Sequence, residues 1–261
     1  MYTRINTALF ARHNHAVYHV TTLTTVSANK ALYRRELKLL ISYPIYLINT
    51  CIGAVLMVAS VLGLIIYGTE QLAVMLELPG LQGILQYMAP FFPALFVVMS
   101  STTAASLNME GRNRWILSSL PVSTKAIFDT KILVNLTVLL PSIVISDLAL
   151  AITLPLSFLS TLMLFVTPAV YAVFIAVAGL FVNLRFPKYD WQSPQQAVKQ
   201  SMSVMVTMLT GFVAIAAPAA LIFVFPVQSL LITVAATLVV AAITALLYYS
   251  LVTFNVRGFL N

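Results

Sequence analysis

Long stretches that are apolar on every face alternate along this chain with short polar segments. Six windows hold at least about 20 mainly apolar residues, the length needed to cross about 30 Å of hydrocarbon. They are Ile45 to Gly68, Ile84 to Met109, Ile132 to Leu154, Ser157 to Val182, Ser201 to Phe225 and Gln228 to Leu251. Strands of a membrane barrel would alternate apolar with polar residues over about ten positions, and these windows do not. The pattern therefore predicts an all-α polytopic membrane protein with six transmembrane helices.

A different pattern precedes the first window. Leu32, Tyr33, Leu39, Leu40 and Ile41 are interleaved with Lys30, Arg34, Arg35, Glu36 and Lys38. A basic amphipathic stretch of this kind lies in the headgroup plane, and the spacing predicts an interfacial helix over 30–44 that Pro44 ends. The alternative is a plain positively charged flank. Residues 1–29 then read as a cytoplasmic N-terminal segment, and 45–261 as the six-span domain with a polar loop at 108–131.

Composition narrows the class. The chain is 61% hydrophobic and 8% charged, against roughly 25% charged in soluble domains. In a membrane protein the position of each Lys and Arg says more than the net charge of +7, so no nucleic-acid partner is expected. Arg4, Arg12, Lys30, Arg34, Arg35 and Lys38 precede the first window. Arg112, Arg114, Lys125 and Lys131 fall between the second and third, Arg185, Lys188 and Lys199 between the fourth and fifth, and Arg257 in the tail. The loop after the first window carries Glu70 and Glu77 instead. The positive-inside rule then predicts a cell-membrane protein with both termini cytoplasmic. No apolar run followed by a small-residue cleavage site stands in the first 40 residues, so the first span is expected to direct insertion.

Candidate chemistry is sparse. Cys51 is the lone cysteine, so neither a disulfide framework nor a cysteine metal site can form within one chain. His13, His15 and His19 lie before the first window, leaving an intramembrane metalloprotease without ligands. No span offers a serine a base within reach. The chain is expected not to be an enzyme, and no metal or cofactor is expected on it. There is no G-x-x-x-x-G-K-[ST] loop, so any ATP that drives it must be bound by another chain. Asp147 is the acid well inside a predicted span, about 24 Å beyond Lys131 at 1.5 Å per residue. That depth favours an interfacial or hydrogen-bonded Asp near the outer boundary over a transport site, which stays open. Pro90, Pro93, Pro141, Pro168 and Pro218 are candidate kinks. Ser100 to Ser106, "SSTTAAS", predicts close helix packing, with a substrate path as the second reading.

The segment Asn108 to Ile132 gathers Glu110, Arg112, Arg114, Lys125, Asp129 and Lys131. Asn108 to Trp115 is expected to carry the second helix out of the membrane. Ile116, Leu117 and Leu120 add an apolar ridge, Pro121 stops it, and Ser123 caps a new helix. A solvated loop fits the composition equally well.

"LNMEGRNRWILSSLPVSTKAIFDTKILVN" resembles the S-x-E-G-[KR]-N-x-W-x-x-x-S-L-P-[VI]-S pattern of bacterial type-2 ABC transporter permeases. "KALYRRELKLLISYPIYLIN" is similar to the amphipathic helix of that family, and "NLRFPKYDW" to its next cytoplasmic loop. The resemblance covers most of Lys30 to Asn261. It implies an exporter permease driven by a separate P-loop ATPase subunit that uses the ATP, with Glu110, Gly111, Arg112, Asn113, Trp115, Leu120, Pro121 and Ser123 as the coupling positions. Family members are commonly about twice as long, so the chain resembles their C-terminal six-helix half. The resemblance then implies a second six-span unit as partner, in addition to the lipid bilayer, with 1–29 as a linker remnant. The alternatives are a secondary transporter or channel, and a non-transporting half-permease remnant. The cargo is not legible.

Overall fold

The structure, a computed structural model, describes residues 26–75, 77–78 and 80–253. The three histidines and the tail arginine lie outside these, and so does most of the expected 1–29 segment. Among the described residues the regular secondary structure is all helical, and six helices are long and apolar enough to cross a membrane. They are Pro44–Met75, Phe91–Gly111, Thr124–Thr153, Phe158–Arg185, Pro194–Val224 and Pro226–Thr253. The protein is a multi-pass, all-helical membrane protein.

Helix α1 (Ala28–Ser42) stands where a helix was expected over 30–44, beginning and ending two residues earlier. It stops because Tyr43 precedes a proline and is extended, at φ −113° and ψ 98°. A residue before proline is pushed out of the helical region, while proline itself is well placed at a helix start. Pro44 accordingly opens α2 (Pro44–Met75), which is interrupted at Gly68, φ 73°. Only glycine adopts that conformation cheaply, and the first apolar window ends at this same residue.

The second span departs from the expected single helix. A short helix α3 (Leu81–Met88) precedes it, and the span itself is split into α4 (Phe91–Val98) and α5 (Thr103–Ser106). Non-helical backbone within a bilayer must find other partners for its polar groups, and here side chains supply them. Asn135 Oδ1 accepts from the Thr102 N–H at 2.7 Å, and the Tyr46 hydroxyl donates to the Thr102 carbonyl at 2.7 Å. The break therefore sits in the hydroxyl-rich stretch read as a packing surface.

A 3₁₀ segment (Asn108–Asn113) and α6 (Arg114–Ser119) follow, then α7 (Thr124–Thr153) and α8 (Phe158–Arg185). Next come α9 (Pro194–Val198), α10 (Met202–Val224) and α11 (Ser229–Thr253). Ser123 caps α7 as expected, its hydroxyl accepting from the Ala126 N–H at 3.2 Å. Pro90 and Pro93 stand at the start of α4, where no helical bond is lost, while α7, α8 and α10 run on through Pro141, Pro168 and Pro218.

Helix α8 is the axle of the bundle, packed against α4, α5, α7, α10 and α11. The most apolar windows of the second and fourth spans are 72% and 61% buried, against 22–28% in the other four. Glycines permit the closest crossings. A Cβ on Gly179 would lie 2.6 Å from Thr103 Oγ1 and 3.0 Å from the Ala104 nitrogen, and one on Gly53 would strike the Phe96 carbonyl. Small residues at such crossings bring backbones together in lipid, where packing rather than water exclusion drives association.

Candidate functional site

The charged segment at 108–131 does not stand alone. One inward stripe of α1, Leu32, Glu36 and Leu40, faces the bundle, at the i, i+4, i+8 spacing of one helix face. Glu36 thereby meets Lys131, whose Nζ donates to Glu36 Oε2 at 2.9 Å and to Glu110 Oε1 at 3.1 Å. Arg35 grips Glu110 with both terminal guanidinium nitrogens, Nη1 donating to Oε1 at 3.0 Å and Nη2 to Oε2, and Nη1 also donates to Glu36 Oε1 at 2.9 Å. Two cations and two carboxylates form one closed cluster. The Lys131 side chain is 0% exposed and that of Glu110 2%.

The cluster joins three parts of the chain: helix α1, the 3₁₀ turn and the start of the third span. Burial is the largest influence on Glu36 and raises its carboxyl above the ordinary value against the pull of Lys131. The hydrogen bond to Glu110 holds the Arg35 guanidinium above its ordinary value. Charges this deeply buried are tolerable only when each has partners and good geometry, and here each has both.

A second network fastens the next polar segment to the same turn. Asn108 is fully buried. Its Nδ2 donates to Ser201 Oγ at 2.7 Å and Ser203 Oγ at 3.2 Å. Its Oδ1 accepts from Asn183 Nδ2 at 2.8 Å and the Lys188 N–H at 2.7 Å, and its carbonyl accepts from Trp191 Nε1 at 2.6 Å. The Trp191 ring lies 3.1 Å from where a Cβ on Gly111 would stand, and Gly111 has φ 52°. That position takes glycine for both reasons. The motif "NLRFPKYDW" is thus brought directly onto "NMEG". Beside them a hollow of about 520 Å³ opens between Tyr43, Glu110, Asn113, Tyr189 and Trp191. The Arg114 guanidinium lies 4.3 Å over the Tyr189 ring, and burial is the main influence raising the Tyr189 hydroxyl above its ordinary value.

The eight expected coupling positions are therefore sorted by the fold. Asn113, Trp115, Pro121 and Ser123 are exposed, Trp115 at 61%, and Leu120 is half-buried. Glu110 and Gly111 are buried and face the bundle rather than solvent; the Arg112 side chain lies outside the described part. Of the ridge expected on α6, Leu117 turns inward at 1% exposure while Ile116 stays outside at 38%. Of the six residues assigned to the interfacial helix, Arg35 and Glu36 belong to the ion cluster. Tyr33 donates to Thr137 Oγ1 at 3.0 Å, whereas Lys30, Arg34 and Lys38 lie outside the cluster.

Asp147, expected to be interfacial or hydrogen-bonded, is 0% exposed and lacks the expected hydrogen bonds: neither carboxyl oxygen has a partner among the described residues. Helix α7 continues beyond Asp147 to Thr153. Leu150 and Leu154 lie one and two turns further on, in the apolar cluster that closes that end. The periodicity of a uniformly apolar window did not reveal which face Asp147 occupies.

Sequence reasoning missed Lys131 as a buried partner and Asn108, Asn135, Asn183 and Ser203 as hubs. The available signal was the Leu32, Glu36, Leu40 stripe, which puts an acid on an inward face, together with asparagines at the edges of spans. No protein-family model, curated protein or solved structure matches the chain.

Proposed function

We propose that this chain is the permease subunit of an ATP-driven, ABC-type exporter, coupled to a separate ATPase through residues 108–131. The observation that carries the reading is the placement of α6. It presents Trp115 and Ile116 outward while its base is anchored by the buried Arg35, Glu36, Glu110 and Lys131 cluster. A force applied to α6 is passed at once to α1 and to the third span, because the charges cannot separate without leaving a carboxylate unpaired in a dry site. The coupling roles divide accordingly. Asn113, Trp115, Leu120, Pro121 and Ser123 make the partner surface, and Glu110 and Gly111 transmit the motion.

The test replaces Cys51 by serine and introduces Trp115→Cys in the native membrane. Cross-linking through a short bifunctional reagent is expected to capture a protein with a P-loop, identified by mass spectrometry. Trp115→Ala is expected to uncouple its ATP hydrolysis. Capture of no P-loop protein, with transport intact in Trp115→Ala, would sink the reading.

One observation favours a second reading, transport driven by an ion gradient: the buried, unpartnered Asp147 carboxyl. An intramembrane acid is a functional-site hypothesis by default. Flux that continues without ATP and stops in Asp147→Asn would establish that reading instead.

A further inference from the structure

Helices α7 and α11 both pack against α8. Between them, across one face of α8, runs a groove of about 580 Å³. Its floor is Val170, Val173 and Val177, spaced so that all three share one side of α8. The room comes from Ala241 and Ala245, one turn apart on α11, where larger residues would fill it. Leu133 and Ala245 on the rim are exposed, so the groove opens sideways from the bundle. One end is closed by a hydrogen bond across the gap, the Tyr248 hydroxyl donating to Asp129 Oδ1 at 2.7 Å.

The groove lies along the membrane-spanning part of three helices, so hydrocarbon, not water, is its solvent. An apolar recess there holds no water, and the surrounding bilayer supplies acyl chains at once. Asp129 stands only two residues from Lys131, at the end of the bundle where helix α1 and the charged turn gather. It is therefore at headgroup depth. Its second oxygen, Oδ2, has no partner among the described residues. Lys125, one turn earlier on the same face of α7, is exposed and makes no ion pair with Asp129 within 4.0 Å. An acid and a base one turn apart, not satisfying each other, match a zwitterion.

We propose that this groove is a binding site for one membrane phospholipid whose headgroup carries a primary ammonium. An acyl chain lies along Val170, Val173 and Val177, the ammonium donates to Asp129, and the phosphate meets Lys125. A trimethylated ammonium has no N–H to donate, and a glycerol headgroup has no positive charge. Primary-amine lipids are selected on that basis. The proposal does not depend on ATP coupling: Lys125 and Asp129 fall within 108–131 but are not among the residues given a coupling role, and the groove is read by lipid retention rather than by ATP hydrolysis.

The test is native mass spectrometry of the purified chain, equilibrated in micelles with equal amounts of phosphatidylethanolamine, phosphatidylcholine and phosphatidylglycerol of identical acyl chains. One phosphatidylethanolamine per chain is expected to be retained, with a preference of roughly tenfold, the weight of one charge-assisted hydrogen bond. Asp129→Asn, which changes no volume, is expected to reduce the preference to within about twofold. Ala245→Phe, or Ala241→Leu where the larger change disturbs folding, is expected to abolish retention of all three lipids. Equal retention of the three by the native chain overturns the proposal, as does an undiminished preference in Asp129→Asn or unchanged retention with the groove filled. An Ala245→Cys variant that cross-links to a second copy and retains no lipid also overturns it, making this face a dimer contact.

Discussion

At one end of the bundle, Arg35, Glu36, Glu110 and Lys131 interlock, and Asn108 makes hydrogen bonds to Ser201, Ser203, Asn183, Lys188 and Trp191. At the other, Leu85, Leu150, Leu154 and Leu164 pack with Val61 and Leu64 around α3, and Gln86 donates to the Pro155 carbonyl at 3.4 Å on an exposed rim. Hydrogen bonds and ion pairs are directional, and a buried one that is broken leaves a costly orphan. Apolar contacts in lipid gain little from water exclusion and are nearly as good after a small slide. The polar end therefore keeps its geometry and the apolar end is free to repack. Under the proposed coupling, the first receives the force and the second changes access.

The sharpest way to break this comparison is to remove the central cation. Lys131→Met leaves two buried carboxylates sharing Arg35 alone, and a loss of about 3–5 kcal/mol is expected. It would be read as loss of monodisperse protein and a lower thermal midpoint in mild detergent. A midpoint equal to that of the native chain would show the cluster to be ornamental. At the apolar end, Leu150→Ala removes a fully buried side chain, and about 2–3 kcal/mol is expected, with the cavity partly closed by sliding. Should that loss exceed the one from Lys131→Met in the same assay, the apolar end is the more tightly held of the two.

Gly179→Ala tests the crossing between the two ends. The added methyl must displace Thr103 and the Ala104 backbone, and about 1–3 kcal/mol of overpacking is expected in the same thermal assay. A neutral result would mean that the broken second span yields easily.

Glu36 gives a pH signature. Its carboxyl is raised by burial, so its favourable contribution is complete below about 4.5, the ordinary value, and is lost as the pH rises through the raised one. The native thermal midpoint is expected to fall across that interval, and Glu36→Gln is expected to flatten the fall. An identical slope in both proteins would refute the assignment. The smallest effect on stability is expected from Trp115→Ala, within about 0.5 kcal/mol because the side chain is exposed. Under the proposed coupling, its consequence should appear only in ATP hydrolysis by the proposed ATPase.

Much of the fold was legible. A run of about 20 apolar residues has little choice in hydrocarbon but to become a helix, since its backbone groups must bond within the segment. The six windows therefore correspond to six long helices, and Gly68, Pro44 and Ser123 punctuate the chain as their backbone chemistry requires. The split in the second span was not legible, because it depends on Asn135 and Tyr46 from other helices. Glu110 illustrates the same limit at the candidate site. The pattern around it marks a special turn, but nothing local distinguishes a carboxylate offered to a partner from one buried against Lys131.

The sequence by itself determined the solvent, the number of spans and the punctuation at Pro44, Gly68 and Ser123, since these follow from transfer of each segment to lipid and from local backbone preference. Tertiary structure alone decided which charges meet, which face of α1 turns inward, where Asp147 hides, and that Asp129 closes an apolar groove. The contacts that tie α1 to the charged turn and the third span, and α7 to α11, join residues 75 to 119 positions apart. No short-range periodicity encodes a pairing across that distance.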